Sequence, residues 1–138
     1  MGRIVAIDYG VRRTGLAVSD PLQIIAGALD TVSTAELISY LKEYLSRNEV
    51  DTFVVGKPLQ MNGSPSQSYA GAETLVRRLQ KEFPAAKVEW WDERFTSRMA
   101  QRTMVESGIG RQRRRDKALV DRISATIILQ GYMDANKV

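Results

Sequence analysis

The spacing of apolar residues changes period several times along the chain, and each change predicts an element. Arg3 to Tyr9 (RIVAIDY) is rich in β-branched residues and predicts a buried strand ending in an acid. After Gly10 and the VRRTG turn, Thr14 to Ser19 (TGLAVS) resumes the strand pattern, so the two segments predict a hairpin. A third, weaker strand is expected between Ile24 and Val32. The period then lengthens to that of a helix. Leu37, Ile38, Leu41, Tyr44 and Leu45 recur at helical spacing up to about Asn48, behind Ser33-Thr34-Ala35-Glu36, which has the side chains of a capping box.

Thr52 to Val55 is a short apolar strand closed by Gly56, and Lys57 to Pro65 is a loop of turn formers. A second helix is expected from about Ser66 to Phe83, with Ala72, Leu75, Val76 and Leu79 inward and Pro84 stopping it. Lys87 to Trp91 (KVEWW) predicts another strand, followed at once by Asp92 and Glu93. Thr96 to Ser107 reads as a short helix, and Gly108 to Arg115 as an aperiodic loop that orders on binding. The last helix, about Asp116 to Ala135, places Val120, Ile123 and Ile127 on its inward stripe. Three strands followed by alternating helix and strand predict an α/β fold, a mixed sheet with helices on its faces, in a single domain over residues 1–138.

Composition narrows the chemistry. At 138 residues, 43% hydrophobic and 26% charged, the chain can bury a core of its own. No apolar run nears the roughly 20 residues a membrane span needs, and the N-terminal apolar segment contains Asp8, unlike a secretory signal. No membrane partner and a cytoplasmic location are therefore expected. The absence of cysteine excludes disulfides and thiolate zinc sites. The absence of histidine removes the Ser-His-Asp triad and the usual general base at neutral pH. Hydrolysis by this chain must therefore lean on carboxylates, which suit hard ions such as Mg²⁺ or Mn²⁺.

Charge is concentrated in one stretch. From Arg94 to Lys117, eight basic residues (Arg94, Arg98, Arg102, Arg111, Arg113, Arg114, Arg115 and Lys117) stand against Glu106 and Asp116, a local excess of six positive charges in a chain whose net charge is +4. Everything outside the stretch is thus net acidic, and a cluster this local points to a polyanion. A solvated basic loop without a partner is the plainer alternative.

Three places offer acids for chemistry. Functional groups gather at the carboxyl ends of parallel strands. Asp8 follows RIVAI, and Asp92-Glu93 follow KVEWW. Successive strand residues face opposite ways, so Asp92 and Glu93 cannot both serve one site. The third is Asp121, early in the last helix, on a face shared with Lys117, Ser124, Ala125 and Ile128. The small residues there would let this face approach the sheet, where an unpaired carboxylate is costly and a bound cation would relieve it. The same positions fit simpler roles: Asp8 bonding its own turn, and Asp121 complementing a helix dipole.

The string from Asp8 through Gly10, Arg12, Arg13, Thr14 and Gly15 to Asp20, Gly56-Lys57-Pro58-Leu59 with Asn62-Gly63-Ser64, Asp92-Glu93-Arg94 with Thr96, and Lys117 through Asp121 to Ala125 together resemble the YqgF family, also called RuvX. The match runs through nearly the whole chain. The resemblance implies a ribonuclease-H-like fold, here a mixed five-stranded sheet flanked by helices, related to Holliday-junction resolvases, with a role in maturing the small-subunit ribosomal RNA precursor. It implies that Asp8, Glu93 and Asp121 are the metal-binding and catalytic acids, for Mg²⁺ or Mn²⁺, and that Arg12, Arg94 and Lys117 line the site. Lys57 stands where family members commonly have leucine and adds a cation near the expected substrate path. Precursor ribosomal RNA, branched DNA and ribosomal particles are the partners so implied.

Two rivals come from other classes. Asp8-x-Gly10 followed by Gly15-x-Ala17 also looks like the first phosphate motif of actin-like and sugar-kinase ATPases, but those need two lobes and this chain has room for one. A non-catalytic RNA-binding assembly factor would keep the basic surface without needing all three acids, which are present.

Overall fold

The computed structural model describes residues 2–58, 68–92 and 116–136. Five strands form one mixed sheet: β1 (Arg3–Asp8), β2 (Arg13–Ser19), β3 (Ala26–Ser33), β4 (Val50–Lys57) and β5 (Lys87–Asp92), in the order β3-β2-β1-β4-β5. β2 runs antiparallel to β1 and to β3, whereas β4 is parallel to β1 and β5 parallel to β4. The described helices are α1 (Leu37–Arg47), α2 (Tyr69–Glu82) and α3 (Lys117–Ala135).

Alternation along the strands sorts side chains to two cores. Val5, Ile7, Leu16, Phe53 and Val55 pack with Leu37, Leu41, Leu75 and Leu79 of α1 and α2. Ile4, Ala6, Ala17 and Val54 point the other way, against Ala125, Ile128, Leu129 and Met133 of α3. β1, flanked on both sides and covered on both faces, is a continuous apolar run for that reason.

The structure corrects two local expectations. Ser33 makes no side-chain cap; a 3₁₀ turn (Thr34–Glu36) precedes α1 instead. The Thr34 hydroxyl is committed elsewhere, donating to the Gly10 carbonyl at 2.6 Å and lying 2.8 Å from the Thr14 hydroxyl. The inward stripe of α3 is also rotated from expectation. Its buried residues are Ser124, Ala125, Ile128, Leu129 and Met133, while Val120, Ile123 and Ile127 are half-buried. Small side chains at 124 and 125 allow a close approach that the bulkier set would prevent. The acid-bearing face of α3 is thereby turned onto the sheet.

Contacts at both ends fix how α3 lies. The Asp116 carboxylate caps its first turn, accepting from the Ala118 amide at 3.0 Å, and Thr31 of β3 donates to the Ala118 carbonyl at 2.7 Å. At its far end Tyr132 donates its hydroxyl to Glu89 of β5 and meets the Trp91 ring edge-on, centroids 6.2 Å apart. Burial first, and then Glu89, push the Tyr132 phenol up to about 12. A raised phenol contributes stability in full below its ordinary pKa of 10.0 and loses it as pH climbs towards 12. Tyr132→Phe is expected to cost about 1–2 kcal/mol in urea unfolding at neutral pH and to remove that alkaline slope. An unchanged urea midpoint would show that this bond holds nothing together.

Candidate active site

Asp8 ends β1 and continues the alternation of Ile4 and Ala6, which places it on the face covered by α3. Directly across the antiparallel ladder from Asp8 stands Gly15. A Cβ added to Gly15 would collide with the backbone carbonyl of Asp121 and lie 3.0 Å from its Cβ. The root of Asp121 therefore rests on the cross-strand neighbour of Asp8. Two of the three acids expected from sequence are thus brought together at the carboxyl end of β1.

The segment joining β1 to β2 forms a wall beside them. Gly10, Val11, Arg12, Arg13 and Asp121 line an open recess of about 330 Å³. Its floor is tied down by Thr34, whose amide donates to the Arg12 carbonyl at 3.0 Å in addition to the hydroxyl bond to Gly10. Gly10 itself must be glycine, since a Cβ there would strike the Arg13 carbonyl.

Electrostatics at Asp121 are opposed. Burial pushes its carboxyl above the ordinary value, while the Arg13 hydrogen bond and the charges of Arg13, Lys117 and Arg122 pull it down. Arg13 Nε donates to Asp121 Oδ2 at 2.5 Å. An acid held where ionisation is disfavoured, supported by surrounding cations and next to a second acid on the same face, suits a hard divalent ion bound through oxygen. The oxygen donors of Asp8 and Asp121 fit a hard ion such as Mg²⁺ or Mn²⁺. Among the described residues no group of three or more acids stands together.

The other expected residues separate clearly. Arg12 is exposed on the recess wall, and Lys117 opens α3 one turn before Asp121. Lys57 shares the strand-end level but alternates with Phe53 and Val55 on the opposite face, its Nζ 5.8 Å from the centre of the Tyr69 ring. Asp92 alternates with Val88 and Trp90 and so does not share a face with Asp8. Glu93, Arg94, Arg98, Arg102, Arg111, Arg113, Arg114 and Arg115 lie outside the described residues, as do the expected Thr96–Ser107 helix and the arginine loop.

Three contributors escaped the sequence reading: Arg13, Gly15 and Thr34. Period two along RTGLAVS puts Arg13 and Gly15 on one face, so that signal was present for the first two. Thr34 had none, since its partners are distant in sequence.

Comparison with known proteins places the chain among relatives. Residues 2–135 match the sequence model of a family described as "RuvX: Holliday junction resolvase". A protein of Porphyromonas gingivalis is 55% identical over 134 residues, covering 97% of each chain, and one of Bacteroides thetaiotaomicron is 51% identical, covering 99% of each. Both carry the name "Putative pre-16S rRNA nuclease". Among solved structures, Thermus thermophilus RuvC in complex with a Holliday junction substrate aligns with a TM-score of 0.59 at 18% identity, over 98% of this chain and 95% of that one. That likeness establishes the ribonuclease-H-like fold. Among the described residues no helix is long and apolar enough to cross a membrane.

Proposed function

Since this chain belongs to the RuvX family, we propose that it is a divalent-metal-dependent nuclease that processes the precursor of 16S ribosomal RNA, acting in the cytoplasm on RNA borne by ribosomal particles. A single domain, residues 1–138, carries both the acids and the basic surface. The observation that carries the reading is the meeting of Asp8 and Asp121 on one face of the sheet, beside a recess walled by Arg12 and Arg13.

Asp8, Glu93 and Asp121 are the residues that would hold Mg²⁺ or Mn²⁺. Asp92 is set aside because it alternates with Val88 and Trp90 on the face opposite Asp8. When bound, such an ion lowers the pKa of water and offsets charge on a phosphate. The chain's own groups do the rest. Arg12, Arg94 and Lys117 orient the scissile phosphate and stabilise its added charge, while Arg98, Arg102, Arg111, Arg113, Arg114 and Arg115 hold flanking phosphates, with Lys57 on the outer path.

The test compares precursor ribosomal RNA with four-way DNA junctions as substrates, each with Mg²⁺, Mn²⁺ or a chelator. Cleavage of the RNA that disappears on chelation is the expected result. Symmetric nicking of junctions with intact RNA would replace the RNA assignment by junction resolution, which needs two copies of the site. RNA binding without cleavage under every metal condition would leave a non-catalytic assembly factor.

A further inference from the structure

We infer that Arg13 is an internal cation that occupies the Oδ2 oxygen of Asp121 until a divalent ion displaces it, and that the displaced guanidinium then serves the phosphate in the adjoining recess. The inference rests on the reading of Asp8 and Asp121 as metal ligands and adds a residue which that reading did not assign.

Four observations carry it. The pair is asymmetric in accessibility, with the Asp121 side chain 21% exposed and that of Arg13 39%, so the carboxylate is held while the cation reaches it from the open side. The bond uses Nε alone, not the two parallel bonds an arginine can make to a carboxylate. A single bond of this kind is easier to displace than a bidentate one. The backbone beneath Arg13 is fixed by pairing with Ser33 and by the two Thr34 bonds, so a change of partner needs side-chain rotation alone. Finally, Arg13 and Asp121 both line the recess with Arg12, so a guanidinium leaving the acid is already where a phosphate would enter.

Two cations cannot share one carboxylate oxygen without repulsion. Ion binding and the Arg13 contact therefore oppose each other, and each weakens the other by the same factor. Arg13 in this account is a positioning residue in the metal-free protein. It keeps the acid aimed, and it sets a threshold that the ion must exceed.

Mn²⁺ titration of the nucleic-acid-free protein, with free ion followed by electron paramagnetic resonance, separates the possibilities. Arg13→Gln is expected to bind Mn²⁺ about fivefold more tightly than the wild type, the size of effect a modest ion pair supports, while cleaving RNA more slowly. Arg13→Lys, which keeps a cation in reach, should return affinity towards the wild-type value. A purely structural arginine would leave Mn²⁺ affinity unchanged or weakened in Arg13→Gln, and either result overturns the inference. Asp121→Asn provides the control: if it loses Mn²⁺ binding while Arg13→Gln is unchanged, the inference alone fails. If Asp121→Asn binds Mn²⁺ like the wild type, the metal-site reading itself fails.

Discussion

Gly15→Ala is expected to destabilise the protein by ~3 kcal/mol or more and to remove cleavage in whatever fraction remains folded. The added methyl group points at the backbone carbonyl of Asp121, with the carbonyl carbon and Cβ of the same residue close behind. Backbone in a helix cannot yield as the tip of a flexible side chain would. β2 is held in the ladder on both sides, by β1 and by β3, so it cannot retreat either. The remaining response is for α3 to lift, which separates Ala125, Ile128 and Leu129 from Ala6 and Ala17 and carries Asp121 away from Asp8. Urea unfolding and single-turnover cleavage, measured on the same preparation, check both halves. A variant with the wild-type midpoint and rate would mean that α3 does not rest on β2 in solution.

Asp8→Asn should leave the urea midpoint within about 1 kcal/mol of the wild type while slowing metal-dependent cleavage by roughly a thousandfold. The amide copies the carboxylate in shape but brings no charge to a hard cation, whose neutralisation of the phosphate is worth several kcal/mol. Asp8 sits at a strand end and belongs to neither apolar cluster, so the exchange leaves the packing of both cores intact. Single-turnover kinetics on precursor RNA with saturating Mn²⁺ give the ratio directly. Near-wild-type cleavage by this variant would remove Asp8 from the reaction.

Much of the architecture could be read from periodicity because the two periods are unambiguous here. RIVAID and TGLAVS are strands with apolar residues facing both ways, and Leu37, Ile38 and Leu41 recur at helical spacing. The rotated stripe of α3 shows where such reading stops. Its apolar residues are spread around the helix, so hydrophobicity does not choose an inward face, and the choice falls to the small side chains of Ser124 and Ala125 and to the seating of Asp121 on Gly15. That is a relation between segments distant in the chain, which no local window contains. Likewise Ser33-Thr34-Ala35-Glu36 carried every local mark of a cap, yet Thr34 bonds Gly10 across 24 positions. At the site, the strand end and the helix face nominated Asp8 and Asp121, and the family resemblance implied their role. The ion pair with Arg13 was not visible, because Arg12 and Arg13 are alike as letters and differ in the face each presents.

The contact between Arg13 and Asp121 joins groups 108 positions apart. During synthesis the hairpin bearing Arg13 leaves the ribosome while the helix bearing Asp121 is still unmade, and closing so long a loop comes late in assembly. The groups that line the recess therefore come together only once the last helix has been made.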